Sequence, residues 1–421
     1  MCIFKDGIMA NVKQLKHLEH LEDELLNHGT VGCEAIVGHF REVFDLLGTK
    51  NPVDGNPGGF VQTKWDGAPS VVCGTDPMTG IFFVGTKSVF NKTNPKLCAS
   101  EQGIDELYAE EKPGLAIKLK SALKHFSKLG IDGVIQGDLM WTEGDLKPEV
   151  VLGEKNLVFK PNTITYGIPM AHKQLSDKAS RSKIGVVFHT HYTGSILEDM
   201  QAKPGVQINK FNKTPDVFVI DNDTPMDRIG LNPTEKREWL SLIDCVNNNC
   251  RKCGPFLDEL VLLGSGANPR GDSKYHIAPY IKAFFNSEIR ENKVTTNVTD
   301  TLSNMIKFYH SKMHKLISGI KTPKVVVQKK MLVNATLKYL AEKENEFKAM
   351  IALYRDIQHI KILVIDKLDP LEKFKTYILK DGRYEVTRPE GYVLHRQDDM
   401  VKFVDRLEFS KNNFIGGSFQ T

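Results

Sequence analysis

The spacing of apolar residues changes twice along this chain, and this change limits the possible folds more than any other feature. From about 59 to 222, short apolar runs alternate with turn-forming residues, as in a series of β-strands. From about 233 to 378, apolar residues recur at helical spacing, and after 380 the strand pattern returns. The sequence therefore predicts a helical block that is inserted into a β-rich domain.

The first β-rich segment is expected to contain eight strands and one helix. The expected strands are 59–64, 69–73, 81–86, 133–139, 156–159, 163–168, 184–189 and 216–220. The helix is expected at about 113–129. Because so many strands have so few helices between them, an α+β fold with antiparallel sheets is favoured over a doubly wound parallel sheet.

Helices are expected before and after this segment. Residues 12–47 fit two helices, with Gly29 and Gly32 between them. The later block is expected to hold a helix that opens at Pro233 and three more, at His276–Ile289, Val298–Ile317 and about 323–363. Gly264-Ser265-Gly266-Ala267 is interpreted as a loop, because the Gly-Lys pair of a phosphate-binding P-loop is missing.

Composition describes an ordinary globular protein without a membrane span. Its 421 residues exceed the usual size of one hydrophobic core, so two or three domains are expected. No run of eighteen apolar residues occurs. The seven cysteines are odd in number and scattered, which predicts reduced thiols in the cytoplasm. Cys245, Cys250 and Cys253 have no second ligand pair nearby, so structural zinc is not expected.

One lysine occupies a position that suits covalent chemistry. A β-prone run ends at Lys64, an Asp66-Gly67 turn follows, and a second apolar run begins at Ser70. A strand and a tight turn would hold this amine rigidly, and a lysine becomes a nucleophile where its surroundings favour the neutral amine. The same residues also fit a surface hairpin with a solvated lysine, because so short a motif recurs by chance.

Further stretches carry side chains that this chemistry would need. Lys87 follows a strand and lies among hydroxyl side chains, a combination that suits phosphate. Asp138 interrupts an apolar strand, Glu390 begins a strand, and Lys402 lies on the next one. Each also has a plain structural explanation: a strand-end turn for Asp138, a solvated loop for Glu390 and an edge-strand charge for Lys402.

A buried strand is expected to end in aromatic side chains. Phe188 lies on it and fits either a core position or a stacking role. His189 and His191 follow at a spacing that puts both on one face of a strand, but two ligands without a third are weak support for a metal site. Orientation or solvation is the favoured interpretation for both histidines.

Taken in order, these stretches resemble motifs I, III, IIIa, IV and V of the covalent nucleotidyltransferases. The matching residues are Lys64-Trp65-Asp66-Gly67, Gly137-Asp138-Leu139, Phe188, Glu390-Gly391-Tyr392-Val393 and Lys402. That superfamily comprises ATP-dependent DNA and RNA ligases and mRNA capping enzymes. The phrases His20-Leu21-Glu22-Asp23 and Phe159-Lys160-Pro161-Asn162-Thr163-Ile164 also resemble tailed-phage proteins of this type. The resemblance covers about 59–222 and 385–410.

The resemblance implies an antiparallel-sheet nucleotidyltransferase core, similar to an ATP-grasp ligase, with an N-terminal helical segment and a large inserted α-helical domain. The expected domains are an N-terminal helical segment 1–50, the first part of the core 51–228, the inserted helical domain 229–380 and the second part of the core 381–421. Only nineteen residues follow Lys402, too few for the OB domain of the related DNA ligases, so RNA is expected rather than DNA.

The implied activity is that of an ATP-dependent polynucleotide ligase with Mg²⁺ or Mn²⁺. Lys64 would form a covalent lysyl-AMP, AMP would pass to a 5′-phosphate, and a 3′-hydroxyl would displace it. Asp138 and Glu390 would bind the metal or the ribose. The other residues implied at the nucleotide are Asp66, Gly67, Phe188 (stacked on adenine), Lys87 and Lys402 (both at the α-phosphate) and Arg406 (in place of the second lysine of motif V).

The sequence departs from the family pattern at two positions, and other functions therefore stay open. Ala68-Pro69-Ser70 stands where an arginine is usual, and Val404 stands in place of the second lysine of motif V, for which Arg406 is the expected substitute. The alternatives are an end-modifying or capping nucleotidyltransferase and a non-catalytic nucleic-acid-binding protein. In each case a monomer is expected, in the host cytoplasm if the protein is viral.

Seven lysines and no acidic residue lie between Thr301 and Lys330. A run of this kind is often only a solvated helical face. Because phosphate contacts dominate the affinity for nucleic acid, we expect the inserted helices to hold an RNA or DNA strand. The residues expected to contact it are Lys307, Lys312, Lys315 and Lys321.

Overall fold

The computed structural model of the protein describes residues 20–48, 59–226, 229–265, 277–396 and 399–415. The strands are β1 Phe60–Lys64, β2 Ser70–Thr75, β3 Phe82–Gly85, β4 Val134–Thr142, β5 Lys147–Val151, β6 Glu154–Phe159, β7 Thr165–Pro169, β8 Ile184–Thr193, β9 Gln201–Pro204, β10 Val217–Val219, β11 Lys375–Lys380, β12 Arg383–Val386, β13 Gly391–Arg396 and β14 Asp399–Phe403. The helices are α1 Leu21–Gly48, α2 Glu101–Ile104, α3 Pro113–Phe126, α4 Lys173–Arg181, α5 Pro233–Ser265, α6 Ala278–Arg290, α7 Val298–Ser318, α8 Pro323–Glu342, α9 Glu344–Leu368 and α10 Arg406–Ile415.

The described chain divides into two units, each built from distant parts of the sequence. What we call the sheet unit contains Trp65–Asn222 and Lys373–Val386. The helical unit contains Glu19–Lys64, Asp223–Glu372 and Thr387–Thr421. This division groups β13 and β14 with the inserted helices, whereas the prediction places 381–421 in the nucleotidyltransferase core. The four predicted domains stay a prediction.

The sheet unit contains two sheets with helices on one outer side. The first sheet has the strand order β10–β8–β4–β2–β3, with β9 beside β8, and only its β10–β8 pair is parallel. One face of this sheet packs on α3 through Leu119 and Phe126. The opposite face packs through Trp141 on Phe159 and Tyr166 of the second sheet, whose order is β12–β11–β7–β6–β5.

The helical unit is built around one apolar core that joins the helices to a small sheet. The sheet has the order β1–β13–β14, and both of its strand pairs are antiparallel. Leu394 and Phe403 on one face of this sheet share the core with Phe40 of α1 and Tyr354 of α9. The burial of large apolar side chains of this kind supplies most of the stabilisation of such a unit.

Most of the predicted elements are present. All eight predicted strands of the first β-rich segment and the helix near 113–129 are confirmed, and the α+β class with antiparallel sheets is confirmed as well. The strands β5, β9, β11 and β12 are findings that the sequence did not predict. The predicted beginnings at 12 and at His276, together with Gly266 and Ala267, lie outside the described residues.

The single helix predicted at about 323–363 is wrong. The chain forms α8 and α9 instead, and Lys343 between them has the non-helical backbone angles φ −107° and ψ 24°. The apolar spacing continues across this one residue, so the periodicity alone could not reveal the break. No helix within the described ranges is long and apolar enough to cross a membrane.

The expected break near Gly29 is confirmed inside α1. Gly29 has φ +56°, a left-handed conformation that glycine adopts without a steric penalty. A Cβ placed there would lie only 2.3 Å from Oδ1 of Asp258. That carboxylate accepts hydrogen bonds from the backbone N–H of Thr30 at 2.8 Å and from its hydroxyl at 2.7 Å. Asp258 of α5 therefore caps the second part of α1.

Candidate active site

Three of the predicted site residues come together on the small sheet of the helical unit. β1 and β13 pair so that Lys64 lies opposite Gly391, the residue that follows Glu390. β13 and β14 pair so that Val393 lies opposite Lys402. Two hydrogen-bonded strand pairs therefore bring motifs I, IV and V to one sheet, although the helical block separates them in sequence.

The amine of Lys64 forms an ion pair with Glu390. Its Nζ donates to Oε1 of Glu390, a contact between residues 326 apart in sequence. The side chains are 29% and 10% exposed, so the pair is neither fully solvated nor closed off. The amine is engaged by this carboxylate, so any reaction at Nζ requires that Glu390 first releases it.

Lys64 and Lys402 lie on the face of the sheet that points away from the helical core. Side chains alternate along a strand, and paired residues share a face. Val61, Leu394 and Phe403 are in the core, so Gln62, Lys64 and Lys402 occupy the opposite face. The two lysines are therefore on one polar face, two strands apart.

Side chains of the helical unit hold β1 in place up to its last residue. The hydroxyl of Thr63 donates to Oε1 of Glu372 at 2.7 Å. Nε2 of Gln62 donates to Oδ1 of Asp223 at 2.8 Å, and the backbone N–H of Thr224 donates to the carbonyl of Val61 at 2.8 Å. These contacts fix the strand that presents Lys64, as the predicted chemistry would need.

Arg388 and Tyr392 hold the segment that carries Glu390, and sequence reasoning did not assign a role to either. Arg388 pairs with Asp366 at 2.7 Å and with Asp369 at 3.5 Å. The hydroxyl of Tyr392 donates to Oδ1 of Asp369 at 3.0 Å, and burial raises the pKa of that tyrosine. Asp366 and Asp369, at the end of α9, are thus a common anchor for motif IV.

Asp66 holds a loop of the sheet unit. Its carboxylate is buried and accepts from Nδ2 of Asn162 at 2.7 Å and from the backbone N–H groups of Thr163 and Ile164 at 2.7 and 2.8 Å. These bonds occupy both oxygens, so the position does not fit the predicted contact with the nucleotide. The stretch Phe159–Ile164, singled out above for its resemblance to phage proteins, therefore has a structural role in binding Asp66.

Gly67 lies against Asp138. A Cβ at Gly67 would be 2.6 Å from Cβ of Asp138 and 2.9 Å from Sδ of Met140, so only glycine fits. Beyond this turn the chain pairs with β4, because the N–H of Ala68 donates to the carbonyl of Leu139 at 3.0 Å. Gly67 therefore has a packing role in the sheet unit, and the turn supports the position of Asp138.

Asp138 pairs with a histidine at an irregularity in the sheet. The register of β4 on β8 shifts so that Gly137 faces Phe188 and Gln136 faces Thr190, which leaves His189 as the extra residue of a β-bulge. Nε2 of His189 lies 3.5 Å from Oδ2 of Asp138, and its Nδ1 is hydrogen-bonded to the Thr190 hydroxyl at 2.8 Å.

A polar network that the sequence did not reveal lies on β2, β4 and β8. Nε2 of Gln136 donates to the hydroxyl of Ser70 at 2.8 Å, and the hydroxyl of Tyr192 donates to Oε1 of Gln136 at 2.5 Å. Burial raises the pKa of Tyr192 to about 12, so the phenol stays a donor at neutral pH. One sequence feature could have predicted this network: polar residues occur at alternate positions of strands that were expected to be apolar.

Phe188 does not fit the predicted stacking on adenine. Its side chain is fully buried and packs edge-to-face on Phe126 and Phe211, with ring centroids 5.4 and 5.6 Å away. An adenine would have to displace one of these rings. The core interpretation, which the sequence also allowed, agrees with the structure.

Arg406, predicted to bind the nucleotide in place of the second lysine of motif V, lies in a buried ionic cluster of the helical unit. Its Nη1 lies 3.3 Å from Glu22, 3.1 Å from Asp23 and 3.2 Å from the Tyr354 hydroxyl. Nζ of Lys361 completes the cluster at 2.8 and 2.7 Å from the two Glu22 oxygens. These contacts favour a structural role for Arg406 over the predicted contact with the nucleotide.

The buried ionic cluster fixes the charges of its members and anchors β14. Burial alone would raise the pKa of Glu22, but the charges of Lys361 and Arg406 outweigh it and lower that pKa to about 2. Burial and Arg406 lower the pKa of His20 to about 2, so this imidazole stays neutral. His20 pairs through its backbone with Lys402. The stretch His20-Leu21-Glu22-Asp23 therefore has a structural role in the helical unit.

The remaining predicted residues are on the surface. Lys87 is exposed at the start of a short 3₁₀ turn, beside hydroxyls of Thr86 and Ser88 that lie 2.8 Å apart. The lysines expected at nucleic acid are exposed as well, at Lys307, Lys312, Lys315 and Lys321. Nζ of Lys312 lies 5.1 Å from the ring centroid of Phe308, a distance that suits a cation–π contact.

The described residues contain no group of three or more His, Cys, Asp or Glu side chains that could hold a metal ion. The two predicted ligands are in different units: Asp138 in the sheet unit and Glu390 in the helical unit. His191 is engaged elsewhere, since its Nδ1 is 2.7 Å from the carbonyl of Gly205. Mg²⁺ commonly takes one or two carboxylates together with waters and substrate phosphates, so Glu390 beside Lys64 is compatible with it.

The chain belongs to a protein family of unknown function, DUF6267, whose family model matches residues 11–416. No curated protein and no solved structure matches the chain. The family assignment leaves the activity open, and the contacts of Lys64, Glu390 and Lys402 are the strongest indication of it.

Proposed function

We propose that this protein is an ATP-dependent polynucleotide ligase that forms a covalent lysyl-AMP on Lys64, with RNA as the preferred substrate. One observation carries the proposal. The motif resemblance assigns the nucleophile to Lys64 and the metal-binding carboxylate to Glu390, and these two side chains touch although 326 residues separate them. A chance match of short motifs would not bring its two central residues into contact.

In the proposed first step, the neutral amine of Lys64 attacks the α-phosphorus of ATP. The Nζ–P bond forms, the bond from that phosphorus to the oxygen bridging to the β-phosphate breaks, and pyrophosphate leaves. The amine loses its proton to solvent. An oxygen of a 5′-phosphate end then attacks the phosphorus of the lysyl-AMP, the Nζ–P bond breaks, and the amine regains a proton from solvent. In the last step a 3′-hydroxyl attacks the phosphorus of the 5′-phosphate and loses its proton to solvent, and AMP leaves. Each step exchanges one P–O or P–N bond for another, so no redox partner is needed.

The roles proposed for the other residues follow from charge and position. Lys402 is on the same polar face as Lys64 and would stabilise negative charge that develops on the α-phosphate. Glu390 holds Lys64 until ATP is bound. A divalent cation, when bound by Glu390 and the triphosphate, would supply charge neutralisation.

A mass measurement tests this proposal against its alternatives. The protein is incubated with Mg²⁺ and either ATP or GTP, and its intact mass is recorded. The proposal predicts an adenylate adduct with ATP and joining of a 5′-phosphorylated RNA strand to a 3′-hydroxyl end. An adduct with GTP instead would favour a capping enzyme, and an adenylate without joining would favour an end-modifying enzyme. No adduct with either nucleotide would favour a non-catalytic binding protein and contradict the proposal.

A further inference from the structure

The end of α7 and the beginning of α8 carry exposed lysines and exposed apolar side chains together. Only residues 319–322 connect the two helices, so the last turn of α7 and the first turns of α8 lie at the same end. We call six of the exposed residues there the tip surface: Lys315, Leu316, Lys321, Lys324, Val327 and Met331. Leu316, Val327 and Met331 are 44%, 57% and 67% exposed, which is unusual for three apolar side chains so close in sequence.

One cation and two apolar residues of the tip surface lie along one side of α8. Lys324, Val327 and Met331 follow each other at intervals of three and four residues. Residues at these intervals are neighbours on the same side of a helix. Val327 therefore lies between the cation Lys324 and the apolar Met331 on this side of α8.

The positive charge of the tip surface is not neutralised within the part of the chain that the structure describes. None of Lys315, Lys321 and Lys324 forms an ion pair there. Farther along, three lysines do have acidic partners: Lys338 of α8 lies 3.6 Å from Glu342, Lys343 lies 3.4 Å from Glu346, and Lys348 of α9 lies 2.6 Å from Glu344. The tip surface thus suits a polyanion better than the rest of these helices.

Both helices are firmly held by their opposite sides. Met305, Tyr309 and Met313 of α7 and Val333 and Tyr339 of α8 are buried in the core of the helical unit. The exposed apolar residues of the tip surface are therefore outside this core, on helices whose positions are fixed by packing. A surface on rigid elements is suited to binding.

We propose that the tip surface binds an unpaired nucleic-acid strand, with the lysines at its phosphates and Leu316, Val327 and Met331 against its exposed bases. The class of partner rests on the proposed ligase function. A duplex stacks its bases inside and offers mostly its backbone to a flat surface, so apolar residues among the lysines gain contacts only with unpaired bases. A lipid surface fits less well, because the outward side of α7, with Ser303, Lys307 and Ser311, is polar.

The test compares two triple variants of the full chain. One replaces the apolar residues: Leu316→Ser, Val327→Ser and Met331→Ser. The other replaces the cations: Lys315→Gln, Lys321→Gln and Lys324→Gln. Affinities are measured for a single-stranded RNA oligonucleotide, for its duplex and for vesicles with anionic lipid. A matched control is Met78→Ser, Ile81→Ser and Ile117→Ser, which removes equally exposed apolar side chains from the sheet unit.

The apolar triple variant should bind the single strand about tenfold more weakly, which is at the low end of the affinity loss for one lost base contact. Its affinity for the duplex should equal that of the parent. The lysine triple variant should weaken both and flatten the salt dependence for the single strand by up to ~0.7 in log–log slope per lost contact. Unchanged single-strand binding in the apolar variant, or binding of the parent to vesicles but not to RNA, would overturn the proposal. Lysyl-AMP formation needs no strand, so it should be normal in both variants, and the two proposals can fail separately.

Discussion

The two units differ in how they use the residues that resemble nucleotidyltransferase motifs. In the helical unit, Lys64 and Glu390 meet as a partly exposed ion pair. In the sheet unit, the carboxylate of Asp66 is enclosed by its hydrogen bonds, and Phe188 is part of the core. A residue that matches a motif can therefore be available for a reaction or can have a purely structural role, and the sequence pattern alone does not distinguish these cases. The burial of the side chain and the hydrogen bonds that its atoms already make distinguish them.

The helical unit itself contains both kinds of ion pair. Lys361 and Glu22 are almost completely buried and have further charged neighbours, whereas Lys64 and Glu390 remain partly open. The loss of one partner of a buried pair leaves an uncompensated charge, which is why it costs much more than the loss of a partner at the surface.

The largest expected effect is on stability, from Lys361→Ala. Because Glu22 would keep only part of its compensation, the free energy of unfolding should fall by about 3–5 kcal/mol. Lys338→Ala, which breaks an exposed pair with Glu342, should cost at most about 0.5 kcal/mol. Denaturant unfolding of both variants measures the difference. Equal losses would mean that the ionic cluster is not a special anchor of the helical unit.

The next effect is on adenylation, from Glu390→Ala and Lys402→Ala. Each should slow lysyl-AMP formation by at least ~10²-fold, the scale of one aligned electrostatic contact, while the fold stays intact. Glu385→Ala removes the carboxylate that lies 3.8 Å from Lys380 in the sheet unit and should leave the rate unchanged. If both Glu390→Ala and Lys402→Ala form lysyl-AMP at rates near that of the parent, motifs IV and V are not part of the active site.

The smallest expected effect is on the stability of the sheet unit, from a substitution of Phe188 in its core. Phe188→Leu should lower the free energy of unfolding by about 1 kcal/mol, as expected for a core substitution of similar volume. Phe126→Leu, at the ring that contacts Phe188, serves as the matched core variant. The KM for ATP should be unchanged in both. A several-fold rise in KM for Phe188→Leu alone would restore the stacking role.

The sequence predicted the elements well because apolar spacing reports directly on burial. It placed β1, β13 and β14, and hence Lys64 and Lys402, at strand positions that the structure confirms. It could not show that β13 and β14 pair with β1 in the helical unit, because strand pairing depends on contacts between residues far apart in sequence. It also could not show that Arg406 belongs to Glu22 and Asp23, whose segment lies almost four hundred residues away.

The most direct test of the proposed chemistry is to locate the adenylate. After incubation with ATP and Mg²⁺, the modified peptide of the parent should carry AMP on Lys64. Lys64→Ala and Lys64→Arg should give no adduct, because neither keeps a nucleophilic amine at the end of β1. Lys380→Ala, which removes another lysine at the end of a strand with a glutamate nearby, should be modified as fully as the parent. AMP on any other residue, or an adduct that persists in Lys64→Ala, would contradict the proposed role of Lys64.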